Sequence, residues 1–329
     1  MRGKVLFVQD MDDSGKKLLL DNGFELVFAE KEDPKMIMKL IKDCDAAFSK
    51  TFFLTEEILA AGDKLKVVAK HGVGIDNVVD LSTATKMGIY VVNTPCANSN
   101  SVAERTIGGI LAFSQKTVQQ HMAVKTFDFE FQNCGGMHEI SGKTIGIVGL
   151  GNIGKRVAKM AAEGFSMNVV GYDPYVRPET LPSYIHLKNN LDAVLKDADF
   201  LTLHLGATPQ TEGMMGKEQF ALMKKSSVFL NFARGALVKE KELAEALKKG
   251  EIAGAILDVY STEPPRTDNP LIGLENVLLS PHCAALTDEA MANMSYDGAK
   301  GIVEILSGEK PTWCLNYDEV GRIRQSMRK

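Results

Sequence analysis

Little in this chain invites a covalent or metal cross-link. Five cysteines are scattered along 329 residues, at Cys44, Cys96, Cys134, Cys283 and Cys314, and no Cys-x-x-Cys pair occurs. An odd number at wide spacing excludes a disulfide framework and a cysteine-based zinc site. Free thiols in a reducing, cytoplasmic setting are expected. Neither sign of charge dominates: the net charge is −4, which gives no electrostatic case for nucleic acid or an anionic membrane as partner. No apolar run approaches the roughly 20 residues of a membrane span. The N-terminus passes from Met1-Arg2-Gly3-Lys4 directly into a strand-like run without a signal-peptide cleavage pattern. Low-complexity tracts and internal repeats are missing too. A 45% hydrophobic composition remains, on a length expected to make two domains.

The most informative stretch is Thr144 to Gly154. An apolar run, Ile145 to Val148, ends in Gly149-Leu150-Gly151-Asn152-Ile153-Gly154. A helical segment follows from Lys155 to Glu163, then a second apolar run, Asn168 to Tyr172, and then Asp173. Strand, glycine turn, helix, strand and acid in this order hold a dinucleotide. Gly149 permits the tight turn, Gly151 lets a pyrophosphate approach the backbone, and Gly154 lets the helix pack closely. Helix-start N–H groups and the dipole hold the phosphates. Asp173 is placed to accept both adenosine-ribose hydroxyls. A carboxylate there repels a 2′-phosphate, and Pro174 rather than an Arg follows it, so NAD is expected over NADP. Arg177 would serve NADP only through a folded-back loop.

Strand-like runs at Lys4–Val8, Phe24–Phe28, Ala46–Phe48, Lys66–Ala69 and Ile89–Val92 alternate with helical stretches such as Pro34–Lys42 and Thr55–Ala61. Such alternation predicts a parallel sheet with helices on both faces. One helix over Ser101 to about Val124 is expected to lead into a second domain. Its six strand-like runs are Thr144–Leu150, Asn168–Tyr172, Phe200–Leu205, Ser227–Phe232, Gly254–Val259 and Val277–Ser280. A helix over Thr287–Leu306 then carries the chain back to the first domain, which Trp313–Lys329 completes. The expected fold class is α/β, with two doubly wound parallel-sheet domains and a cleft between them: residues 1–100 plus 288–329, flavodoxin-like and substrate-binding, and residues 101–287, a Rossmann NAD-binding domain.

Three polar residues follow strand runs in the second domain: Arg234, Glu263 and His282. In a parallel sheet all strand C-termini share the edge that carries the glycine turn. Histidine can take a hydroxyl proton near neutral pH. A carboxylate beside it fixes the ring tautomer, and arginine can fork onto a substrate carboxylate. Singly, each has a structural alternative: a loop cap, a salt bridge, a solvated acid. Asp258, at a strand end, could accept a hydrogen bond from a nicotinamide carboxamide or be an ordinary strand-terminal acid.

The chain resembles the D-isomer-specific 2-hydroxyacid dehydrogenases over essentially its whole length. The resemblance is carried by Lys70-His71-Gly72-Val73-Gly74-Ile75-Asp76-Asn77, Val92-Asn93-Thr94-Pro95, Val102-Ala103-Glu104 and the Gly149–Gly154 turn. Asn231-Phe232-Ala233-Arg234-Gly235, Leu257-Asp258-Val259-Tyr260 through Glu263-Pro264, and Ser280-Pro281-His282 continue it. It implies an oxidoreductase with His282 as acid/base, Glu263 as its partner and Arg234 as carboxylate anchor. It also implies cofactor contacts at Gly149, Gly151, Asn152, Ile153, Gly154, Asp173, Thr106, Leu205, Phe232, Ala233, Arg234, Asp258 and His282. Substrate would be bound by Lys70, His71, Val73, Gly74, Arg234 and His282. No metal is implied, and a homodimer through the NAD-binding domain is.

Within the family the chain looks closest to short D-3-phosphoglycerate dehydrogenases, which would place it in serine biosynthesis. Ending at Lys329, it is expected to lack the serine-binding regulatory domain of longer relatives. Two departures bear on the substrate. Lys70-His71 stands where phosphoglycerate enzymes often carry an Arg, and a lysine cannot fork onto phosphate. Val73 replaces a hydroxyl-bearing residue of some relatives. Hydroxypyruvate or glyoxylate reduction is therefore the alternative. A nucleotide-sensing corepressor of the same fold lacks support because long tails are absent. Glu263 argues against a formate enzyme, whereas the motifs leave phosphite oxidation open.

Overall fold

The computed structural model describes residues 2–327; Met1, Arg328 and Lys329, which the expected domain limits include, lie outside the described residues. Two compact units emerge, Met1–Asn98 with Leu286–Lys329, and Ser99–Ala285.

The first unit is built on five parallel strands, β1 (Lys4–Phe7), β2 (Glu25–Phe28), β3 (Ala46–Ser49), β4 (Val67–Lys70) and β5 (Tyr90–Val92), in the order β2-β1-β3-β4-β5. That order is the flavodoxin-like one. Strands β3 and β4 are buried at every position, as expected where helices cover both faces of a parallel sheet. The long helix Asp288–Ser307 lies on this sheet through its small residues. A Cβ on Gly298 would come within 2.2 Å of the Phe48 ring of β3, and helix Asp13–Asp21 packs against the same long helix through Gly15, whose Cβ would come within 2.4 Å of the Ser295 carbonyl. Thr287 caps the helix start through the Ala290 N–H, and Gly308, at φ 80°, ends it. Downstream, Asn316 lies against β5: its Oδ1 accepts from the Val91 N–H at 2.9 Å and its Nδ2 donates to the Ile89 carbonyl at 3.0 Å.

The second unit has seven parallel strands: β6 (Thr144–Val148), β7 (Asn168–Tyr172), β8 (Ile185–Leu187), β9 (Phe200–Leu203), β10 (Val228–Asn231), β11 (Gly254–Leu257) and β12 (Val277–Leu279). Their order is β12-β11-β10-β9-β6-β7-β8, which puts the reversal of winding between β6 and β9, beside the glycine turn. Six strands were expected; the seventh, β8, is a three-residue edge strand paired only with β7.

The helix expected over Ser101 to Val124 is two helices, Ser99–Ser114 and Thr117–Lys125. Lys116 breaks it, with a left-handed φ of 52°. The segment around residue 138 returns to that point. The His138 N–H donates to the Ser114 carbonyl at 3.0 Å, and the Gln115 side chain donates to the His138 carbonyl at 2.9 Å. Ser114 thereby gives its carbonyl to a returning loop instead of a further helical turn. Within Ser99–Ser114, Gly109 packs where a Cβ would lie 3.2 Å from Ile256, while Gly108 faces open space.

Among the described residues no helix is long and apolar enough to cross a membrane. No group of three or more His, Cys, Asp or Glu among them could hold a metal ion.

Candidate active site

The carboxyl edge of the seven-stranded sheet carries two clusters. At its centre the three glycines of the turn meet three different environments. Gly149, at φ 93°, has no room for a Cβ, which would fall 2.4 Å from the His204 carbonyl oxygen at the end of β9. A Cβ on Gly154 would fall 2.0 Å from the Gly149 carbonyl, so the helix presses on the turn itself. Gly151 faces open space and is exposed. Two glycines thus serve the fold, and Gly151 leaves the backbone open to a ligand.

Helix Asn152–Lys159 begins at Gly151 without a side-chain cap, so its first-turn N–H groups and positive dipole end suit a pyrophosphate. Asp173, just past β7, accepts from the Leu150 N–H through one oxygen and from the Tyr175 N–H through the other, each at 2.9 Å. An ionised carboxylate has about four acceptor positions, so ribose hydroxyls can still be met. These residues fit an NAD molecule. Leu205 is half-buried beyond β9, and Phe232 and Ala233 are buried beyond β10. Thr106 is fully buried and donates its hydroxyl to the Val102 carbonyl at 2.8 Å.

The second cluster lies beyond β10, β11 and β12. Gly235 fixes its spacing: a Cβ there would fall 1.9 Å from the Tyr260 carbonyl, so the β10 and β11 loops touch through backbone. Asn231, buried at the end of β10, accepts from the Ala233 N–H at 3.0 Å and donates to the Arg234 carbonyl at 2.9 Å. The guanidinium of Arg234 is half-buried and donates to the Ala233 carbonyl at 2.8 Å.

Glu263 folds back on its own loop, accepting from the Tyr260 N–H at 3.1 Å through Oε1. Its Oε2 lies 2.6 Å from His282 Nδ1. Burial would raise the Glu263 carboxyl. The bonds from His282 and the Tyr260 N–H, with the charges of His282 and Arg234, outweigh burial and hold it below its ordinary range. An ionised Glu263 makes Nδ1 the protonated ring nitrogen and leaves Nε2 as the nitrogen with a free lone pair.

His282 adopts a left-handed φ of 51°, a region uncommon for residues other than glycine, though histidine enters it more often than most. Asp258 maintains it. Its carboxylate, 1% exposed, accepts from the Ser280 hydroxyl at 2.5 Å and from the Cys283 and Ala284 N–H groups at 3.0 and 2.9 Å. Its carbonyl accepts from the His282 N–H at 2.8 Å. Asp258 therefore acts on the site through the backbone on either side of His282. The Cys283 thiol is pushed up by burial and then by the Asp258 charge, which disfavours its thiolate.

Lys70, His71, Val73 and Gly74 belong to the other unit, at the end of β4. Gly72, at φ 132°, turns the loop. The loop is braced by Thr94, whose N–H donates to the Gly72 carbonyl at 2.9 Å and whose Oγ1 accepts from the Gly72 N–H at 3.1 Å. Asn93 Nδ2 donates to the Val73 carbonyl at 2.7 Å. Among the described residues the N–H groups of Val73 and Gly74 have no acceptor. Lys70, 6% exposed, donates to the Lys50 carbonyl and, at 3.0 Å, to Asn77 Oδ1. His71 is buried, with Nε2 3.3 Å from the Met291 carbonyl. Burial, then the Lys50 charge, pushes it down to about 4, so it is neutral at physiological pH.

Asn231, Ser280 and Tyr260, whose hydroxyl donates to the Ser280 carbonyl at 2.9 Å, complete the framework. None of the three was expected from sequence; the available signal was a polar residue ending an apolar strand run.

The sequence model of the D-isomer specific 2-hydroxyacid dehydrogenase NAD-binding domain matches residues 107–284. The D-3-phosphoglycerate dehydrogenase of Methanocaldococcus jannaschii is 40% identical over 319 residues, 96% of this chain and 60% of that protein. The human D-3-phosphoglycerate dehydrogenase is 36% identical over 314 residues, 95% of this chain and 58% of its own length. This chain thus spans about three fifths of the curated relatives it matches. Among solved structures, the NADPH-dependent glyoxylate/hydroxypyruvate reductase of Sinorhizobium meliloti superposes with a TM-score of 0.83 at 25% identity, covering 95% of this chain and 97% of that one. The chain belongs to the D-isomer specific 2-hydroxyacid dehydrogenases, and its second unit is the family's NAD-binding domain.

Proposed function

We propose that this protein interconverts a D-2-hydroxy acid and its 2-keto acid, using NAD, with D-3-phosphoglycerate as the leading substrate. The observation that carries the reading is the 2.6 Å His282–Glu263 pair on the sheet edge that bears the glycine turn. When bound, NAD supplies the hydride acceptor at its nicotinamide. His282 Nε2 takes the hydroxyl proton as the carbonyl forms, and Glu263 stabilises the resulting imidazolium. Arg234 and the Val73 and Gly74 amides orient the carboxylate. Gly149, Gly151, Asn152, Ile153, Gly154 and Asp173 hold the cofactor, and Asp173 favours NAD over NADP.

A second reading, reduction of an unphosphorylated 2-keto acid such as hydroxypyruvate or glyoxylate, is favoured by one observation. His71 is neutral, and the buried Lys70 ammonium already donates to the Lys50 carbonyl and Asn77 Oδ1, so its N–H groups are directed into the protein rather than toward a phosphate. NADH formation on D-3-phosphoglycerate, D-glycerate and D-lactate, with NADH consumption on hydroxypyruvate and glyoxylate, separates the two. Turnover of phosphoglycerate alone supports the first reading and a place in serine biosynthesis. Turnover of the unphosphorylated acids alone supports the second, and NADH binding without turnover on any of them refutes both.

The nucleotide unit also carries an apolar surface. Phe127 is 92% exposed and Phe129 70%, with Val118 and Met122 half-exposed nearby in sequence. Exposed aromatic surface of this kind supports a homodimer through this unit. The free cysteines fit a reducing, cytoplasmic compartment.

A further inference from the structure

The loop that carries Glu263 has little packed beneath it. Residues 261–264 and 266–268 are exposed. A cavity of about 720 Å³ opens between the loop and the start of helix Glu240–Lys248, with Lys239, Glu242, Thr262 and Arg266 on its walls. Only at Leu271, fully buried, does the chain re-enter the core. Where packing does not set the position of a segment, discrete hydrogen bonds must.

One side chain supplies two of them. Glu240 Oε1 accepts from the Ser261 N–H at 2.6 Å, and its Oε2 accepts from Asn269 Nδ2 at 2.8 Å. Asn269 Oδ1 in turn holds the Leu271 N–H at 3.0 Å. A single carboxylate therefore clasps both ends of the loop whose middle bears Glu263.

We propose that Glu240 is a positioning residue of the active site: by clasping Ser261 and Asn269 it holds the loop where Glu263 meets His282. The effect on turnover rests on the oxidoreductase reading, but the effect on Glu263 does not. The blander role for an acid in the first turn of a helix is to complement the helix dipole. That role would change stability without loosening the bonds that Glu263 makes to His282 and Tyr260.

The two roles move the Glu263 carboxyl in opposite directions. The groups that face it are His282, Arg234, the Tyr260 N–H and the Tyr260 phenol, with Glu240 one loop away. Were Glu240 only a nearby negative charge, its removal would lower the Glu263 pKa. If it positions the loop, its removal loosens the His282 and Tyr260 bonds and raises that pKa toward the ordinary value.

The test is a carboxyl-carbon NMR titration of Glu263 in the full chain, with steady-state kinetics in parallel, for wild type, Glu240→Ala and Glu240→Gln. Glu240→Ala is expected to raise the Glu263 pKa and lower kcat by about tenfold to a hundredfold. NADH affinity should stay within about twofold of wild type, because the glycine turn is untouched. Glu240→Gln keeps an acceptor for Ser261 but turns an NH2 group against that of Asn269, so it should fall between the two. It also decides the matter should the alanine variant not fold. A lowered or unchanged Glu263 pKa in both variants, with kcat at the wild-type value, overturns the proposal. Should wild type turn over no D-2-hydroxy acid, the oxidoreductase reading fails, and the titration still decides the role of Glu240.

Discussion

The carboxyl edges of the two sheets present different things to a ligand. On the seven-stranded sheet, reactive side chains stand outward, with His282 and Glu263 44% and 36% exposed, while buried polar neighbours hold the backbone, Asp258 around His282 and Asn231 around Arg234. On the five-stranded sheet the arrangement is inverted. Lys70 and His71 are 6% and 5% exposed and bond to their own unit, and the backbone amides of Val73 and Gly74 have no acceptor among the described residues. On the proposed reading, one unit acts through side-chain chemistry and the other through backbone shape. This explains why the reaction class can be read from residue types while the substrate cannot.

Removing the acid/base breaks the first half of this comparison most severely. His282→Ala is expected to lower kcat by about 10²- to 10⁴-fold, the usual contribution of general acid–base catalysis. NADH binding should persist, because Gly149–Gly154 and Asp173 are unchanged. Stopped-flow turnover with a fluorescence titration of NADH checks both, and near-normal turnover would remove His282 from the mechanism.

How much of this was legible beforehand follows the same division. The glycine turn, Asp173 and the order of Arg234, Glu263 and His282 were readable because parallel strands deliver residues that end consecutive apolar runs to one edge. Strand β8 was missed because three residues, Ile185–Leu187, carry too little periodicity to stand out from a loop. The break at Lys116 was invisible because its cause, His138 on Ser114, lies more than twenty positions away. The neutrality of His71 and the inward turn of Asp258 are products of burial, which a residue type alone does not reveal. Glu240 was missed for the same reason as the break, since its partner Ser261 is 21 residues on.

The buried state of His71 gives the next largest effect. Its pKa, about 4 in the folded protein, lies below the 6.5 of an exposed imidazole. Between those values the unfolded chain binds a proton that the folded chain does not, so stability falls as pH falls through that window. The loss should approach about 3 kcal/mol at its acid end, and above pH 6.5 the group contributes no pH dependence. Urea unfolding of wild type and His71→Gln at pH 7 and pH 4.5 checks this: the variant should lose less stability on acidification. A KM for a phosphorylated acid that rises as His71 deprotonates near pH 6.5 would contradict a neutral His71 and make its side chain a phosphate ligand.

Asp173 should matter less. It accepts two backbone N–H groups as well as the expected ribose hydroxyls, so Asp173→Ala both removes a ligand contact and loosens Leu150 in the turn. NAD affinity should fall about tenfold, with the preference over NADP narrowed. Asp173→Asn separates the two contributions, since its carbonyl can still accept from Leu150. An unchanged preference in both variants would mean that another residue sets cofactor choice.

The smallest effect tests the other half of the comparison. If the five-stranded unit recognises the substrate carboxylate through the Val73 and Gly74 amides, the side chain at position 73 is secondary. Val73→Thr adds a hydroxyl beside those amides without moving them, because the loop is fixed from behind by Thr94 on Gly72 and Asn93 on the Val73 carbonyl. KM should change by less than about threefold, equivalent to roughly 0.6 kcal/mol. Asn93→Ala, which frees the Val73 carbonyl, should raise KM more than Val73→Thr changes it, although Asn93 offers the substrate no group of its own that the proposal requires. A tenfold fall in KM from Val73→Thr would reverse the assignment. Side-chain chemistry would then operate at both sheet edges, and the residue at position 73 would choose the substrate.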